Sequence, residues 1–130
     1  MLTEFGRRVN AIEECYEFLL AYAAQGRPGT KDSQQGAQAR ASLCTAARSM
    51  AGLREVGASA IREKQLEPAE SYGPFLAVLE RDAGDSLAAV EVVLAQPAIS
   101  SQLIDSLNAS IHLRALLTDL FLLGEILNPT

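Results

Sequence analysis

The stretch Ile111–Leu127, "IHLRALLTDLFLLGEIL", decides how this chain is read. It holds the single histidine of the sequence, His112, together with Arg114, Asp119 and Glu125, inside an otherwise apolar run. Drawn as a helix at about 100° per residue, Leu113, Leu116, Leu117, Leu120, Phe121, Leu122, Leu123, Ile126 and Leu127 reach nearly every side. A helix that is hydrophobic all round is normally buried. A bilayer span needs about 20 largely apolar residues, and the four polar groups interrupt this run, so no membrane partner is expected. The apolar surface therefore calls for protein cover.

The rest of the chain says how much cover one copy can supply. Of 130 residues, 48% are hydrophobic, but only 5% are aromatic and none is tryptophan. Leucine and alanine carry the apolar load, both strong helix formers and neither β-branched. Four segments have helical period, separated by Pro- and Gly-rich breaks. The first covers residues 4–25, with Thr3 as N-cap and Gly26 as the stop. The second covers residues 33–64, along a small-residue seam in which Gly57 is the expected kink. A third starts at Pro74 and ends before Gln96–Pro97, and a fourth runs from Ser100 or Ser101 to Asn128–Pro129. The expected fold is all-α, an antiparallel up-down four-helix bundle forming a single domain.

In such a bundle each helix buries roughly one face. The first helix has two apolar stripes, because Ala11, Cys15, Phe18 and Tyr22 lie beside the main seam of Phe5, Val9, Ile12, Tyr16, Leu19 and Ala23. The fourth helix has more than two. This surplus predicts a subunit interface, most simply a two-fold homodimer, through the fourth helix flanked by the first. Its expected residues are Cys15, Phe18, Tyr22, Leu113, Leu116, Leu117, Leu120, Phe121 and Leu123.

The net charge of −5 disfavours nucleic acid, which requires clustered positive charge. Charge is uneven, with a net of +4 over residues 27–64 and −7 over residues 65–130. The basic groups are expected to be solvated or neutralised within the fold. The sharper reading is a stripe of Arg40, Arg48 and Arg62 that docks an acidic or amphipathic-helical protein. Cys15 and Cys44 lack metal-site spacing and are too few for a disulfide scaffold. No signal-like apolar run follows Met1, so a cytoplasmic chain with reduced thiols is expected, although side-by-side packing of the first two helices would allow a Cys15–Cys44 bond.

Catalytic and cofactor patterns are sparse. Di-iron bundles need Glu-x-x-His, and no glutamate precedes His112 by three positions. Glu13, Glu14 and Glu17 cluster opposite the main seam of the first helix, where solvent is their expected neighbour. His112 has Asn108 one turn away, within hydrogen-bonding reach, and Asp119 two turns away, beyond it. Arg114, among leucines, is expected to meet a carboxylate of another helix or of a partner subunit, fixing register; the alternative is a ligand carboxylate. "GRPGTKDS", residues 26–33, has neither the P-loop spacing nor a preceding strand and is expected to be a turn. No cofactor or metal is implied. The expected function is non-enzymatic protein binding, as an adaptor, assembly factor, chaperone or regulator. The alternative is a small-molecule or cofactor binder with an apolar pocket lined by Leu, Phe and Met50 and oriented by Arg114 or His112.

Overall fold

A computed structural model describes residues 3–26 and 34–129. The turn expected over residues 26–33, apart from Gly26, lies outside the described residues, as does the helix start at Ser33. Among the described residues the chain is all-helical: α1 (Glu4–Ala24), α2 (Gln34–Met50), α3 (Leu53–Lys64), α4 (Tyr72–Leu94), α5 (Ser101–Ala109) and α6 (Ile111–Leu127). A 3-10 turn, Ala69–Ser71, leads into α4.

Thr3 caps α1 as expected, its hydroxyl accepting from the Gly6 N–H at 3.1 Å. Ser100 does the same for α5, accepting from the Leu103 N–H at 3.0 Å. Helix α4 begins two residues before Pro74, which leaves the proline in the first turn, where its missing N–H costs nothing.

Two of the four expected helices are broken. The second stops at Ala51–Gly52, with Gly52 at φ 69°, a left-handed conformation that glycine adopts without steric cost. The break frees the Ala51 carbonyl, and the Arg8 guanidinium of α1 donates to it. Gly57, the expected kink, lies instead within α3 as a contact point. A Cβ there would stand 3.3 Å from Leu76, 3.4 Å from Leu79 and 3.5 Å from Leu123. The glycine lets α3 come close to α4 and α6. Helix α3 closes with a paired turn, Gln65 N–H to the Arg62 carbonyl and Leu66 N–H to the Ile61 carbonyl, with Gln65 at φ 54°.

The fourth expected helix breaks at Ser110, whose extended ψ of 149° ends α5 and starts α6. The Ser110 hydroxyl donates to the Leu107 carbonyl at 2.6 Å. This break redistributes the apolar surface. Helix α5 packs along α1, while α6 packs along α4 and also touches α1 and α3. The core between them is closed by Ile12, Leu19, Leu43, Leu53, Leu79, Ile104, Leu116, Leu120 and Leu123. Hydrogen bonds fix the seams: the Tyr22 hydroxyl donates to the Ile99 carbonyl at 2.6 Å, and the Ser101 hydroxyl to the Tyr22 carbonyl at 2.8 Å. On the other side, buried Ser86 of α4 donates to the His112 carbonyl at 2.9 Å.

Candidate functional site

The residues expected at a subunit interface divide sharply. Leu113, Leu116, Leu117, Leu120 and Leu123 are all buried inside their own chain, with Leu116, Leu120 and Leu123 at 0% exposure. Cys15 and Tyr22 are buried too, and Phe18 is half-buried beside Tyr22, the two rings stacked with centroids 6.1 Å apart. The cause is the break at Ser110: α5 covers the second stripe of α1, and α6 turns its leucines towards α4 and the core. The buried side chains are core of their own chain, while α1 leaves Leu20 exposed outside the expected set. Phe121 alone of the nine stays open, at 53%.

Phe121 has company that the sequence reading left aside. Leu122 is 52% exposed and Ile126 39%, on the same outer side of α6. Leu122 and Ile126 meet Ser71, Tyr72 and Phe75 at the start of α4, and the groove between the two helices encloses about 260 Å³. Val78 is exposed one turn along α4 from Phe75. The outer α4–α6 face is one place where large apolar side chains stay uncovered; Ile111, Val92 and Leu20 are exposed as well. An exposed aromatic flanked by aliphatic groups is the composition that protein contacts favour over the general surface.

Charge on this face is arranged along α6. Arg114, Thr118, Phe121 and Glu125 are all exposed. Arg114 donates to the Ala109 carbonyl at 3.3 Å, a carbonyl freed by the α5–α6 break. No carboxylate of the described residues pairs with it.

A second polar feature lies deeper in the seam between α4 and α6. Asp119 is buried at 8% exposure, and the Asp82 carboxyl of α4 is close enough to act on it. A like charge beside a buried carboxylate disfavours its ionised form. Burial first, and the neighbouring Asp82 carboxyl second, push the Asp119 carboxyl up to about 7. Its buried Oδ2 has no hydrogen-bond partner among the described residues. The sequence placed Asp119 on a polar stripe with His112; it faces another helix instead. The available signal was a lone acid in the most apolar part of the chain, which is costly without a partner.

The remaining candidates are dispersed. His112 is half-buried, and Asn108 does not bond to it: both amide atoms of buried Asn108 lack a partner among the described residues. Arg40 donates to the Leu94 and Gln96 carbonyls at 2.6 and 2.7 Å, closing the end of α4. Arg48 and Arg62 bond Thr45 and Ser59 on their own helices, so the three arginines do different work. Cys15 and Cys44 are free thiols, and burial pushes the Cys15 thiol up despite a bond with Ser42. Glu13 is raised by burial first and by Glu17 second. Among the described residues no three metal-ligating groups converge, and no helix is long and apolar enough to cross a membrane. Met50 lines a space of about 10 Å³ with Ile12, Cys15, Leu43 and Leu113, room for one water at most, and a more open one of about 280 Å³ with Gly52, Arg54, Glu80 and Leu87. No protein-family model, no curated protein and no solved structure matches the chain.

Proposed function

We propose that this chain works by contact with protein rather than by catalysis, as a small helical adaptor or assembly factor that self-associates through the outer α4–α6 face. In this reading the six helices act as the four rods of an antiparallel up-down bundle, two of them broken. Homodimerisation covers what the rods leave open. The observation that supports it is the pairing of exposed Leu122 and Ile126 with the groove of Tyr72 and Phe75, with exposed Phe121 further round α6.

Light scattering of size-separated protein tests the reading. Leu122→Asp and Phe121→Asp change side chains that the fold leaves exposed, so both variants keep the helical circular-dichroism spectrum of the parent. The parent elutes with twice the chain mass and the variants with the chain mass. Variants that elute like the parent overturn the assignment of this face.

A further inference from the structure

The seam between α4 and α6 changes character along its length. The helices run antiparallel: Ser86 meets the His112 carbonyl at one end, and Tyr72 and Phe75 meet Leu122 and Ile126 at the other. Between these points Asp82 of α4 neighbours Asp119 of α6. Asp82 follows Phe75 by two helical turns, and Asp119 precedes Ile126 by two. Two turns are about 10 Å along the axis and only about 20° round it. Each helix thus sets an acid in line with the apolar groove, and the two acids meet at the same level.

Neither acid is neutralised there. Among the described residues no ion pair includes Asp82 or Asp119. Asp119 is more than nine-tenths buried with its Oδ2 unpartnered, a costly state for a carboxyl. The only bases in residues 65–130 are Arg81 and Arg114, and neither lines the groove. Exposed Glu67 and Glu70 stand just before Ser71, at the groove's end, and add to the negative charge. The seam therefore offers an apolar recess and, two turns on, negative charge without a cation. The recess encloses about 260 Å³. Small-molecule pockets run from about 300 to 1,000 Å³, so this one suits anchoring side chains of a protein.

We infer that the seam docks an amphipathic helix of another protein, with apolar side chains at positions i and i+4 in the groove and an arginine at i+7 against Asp82 and Asp119. The spacing repeats that of Ile126, Leu122 and Asp119 on α6, because a helix laid along α6 has the same rise. A guanidinium has donors enough for both carboxyls. The inference rests on the reading of this face as a protein contact, and the guest helix competes with the second copy for Leu122 and Ile126.

Fluorescence anisotropy tests it at pH 8, above the value of about 7 to which Asp119 is raised. The probes are two labelled alanine-based peptides of about 20 residues, long enough to form helix. Both carry leucine at i and i+4; one has arginine at i+7 and the other glutamine. The parent chain binds the arginine peptide at least about tenfold more tightly than the glutamine peptide. Asp82→Asn/Asp119→Asn keeps the helical circular-dichroism spectrum and brings the two affinities within about twofold. Asp82→Asn alone, at a half-buried position, already narrows the gap. Leu122→Ala weakens both peptides by the same factor. A parent that binds both peptides equally, or neither, overturns the inference, and so does a preference that survives the double substitution. Sedimentation of the parent without peptide reads self-association separately. A dimer that binds neither peptide leaves the face to the second copy and overturns the inference alone. A monomer that prefers the arginine peptide supports the inference and overturns self-association.

Discussion

The Tyr22 hydroxyl donates to the Ile99 carbonyl at 2.6 Å, and joins the end of α1 to the loop that launches α5. The bond is buried, and Ser101 returns it by donating to the Tyr22 carbonyl. Through this clasp α5 covers the α1 stripe that would otherwise stay open. Tyr22→Phe keeps the ring in place and leaves the Ile99 carbonyl without that donor, which costs about 1–2 kcal/mol. Thermal unfolding followed by circular dichroism should show a midpoint lowered by several degrees. Adding Ser101→Ala should cost less than the two single losses together, because both bonds serve one junction. An unchanged midpoint for Tyr22→Phe would contradict the clasp.

Gly57 makes the second prediction. Its missing side chain is what lets Leu76, Leu79 and Leu123 meet over α3. Gly57→Val forces these leucines apart and destabilises the fold by about 1–3 kcal/mol. Gly57→Ala comes out near neutral, since a gain in helix propensity of about 1 kcal/mol offsets the tight contact. Denaturant midpoints at equal slope separate the two. Equal stabilities for the alanine and valine variants would remove the close approach from the account.

Asp119 and Asp82 give a pH dependence of definite sign. The folded chain holds the Asp119 proton up to about pH 7, against an ordinary value of 3.8. Between these values the folded state binds more protons than the unfolded one. The contribution is therefore fully present below about 3.8 and is lost as pH rises through about 7. Asp119→Asn keeps the shape of the side chain and removes the titration. At pH 8 the variant should be the more stable by about 1 kcal/mol, allowing for solvent screening. Near pH 5 the difference should shrink. Parallel pH profiles for parent and variant would show that the Asp119 carboxyl is not raised.

Leu120 and Leu122 separate core from surface within one turn. Leu120 is at 0% exposure and Leu122 at 52%. Leu120→Ala opens a cavity and should cost about 2–5 kcal/mol of stability. Leu122→Ala should leave stability within about 0.5 kcal/mol and weaken self-association instead. Chemical denaturation and light scattering read the two effects independently. A large stability loss from Leu122→Ala would place that side chain in the core.

Much of this architecture was legible in residue order, and the failures share one cause. Thr3 and Ser100 announce their helices because a hydroxyl at an N-cap satisfies a free N–H whatever the tertiary context. The helical class follows from leucine and alanine at helical period. The breaks at Gly52 and Ser110 were hidden because the apolar seam continues across them: Met50 and Leu53 are both buried although they lie on different helices. A period that runs through a break reads as one helix. The break at Ser110 gives the leucines of α6 a home inside their own chain. With α5 and α6 separated, the surplus contracts to the outer stripe around Phe121. The Asp82–Asp119 pair joins two helices far apart in sequence, so neither residue alone announces the other.

Sedimentation equilibrium of the parent chain over a range from about 1 to 100 µM tests the central claim most directly, that a second copy covers the outer side of α6. A molar mass rising to twice that of the chain and levelling there is the predicted result. A mass equal to one chain at every concentration would contradict it.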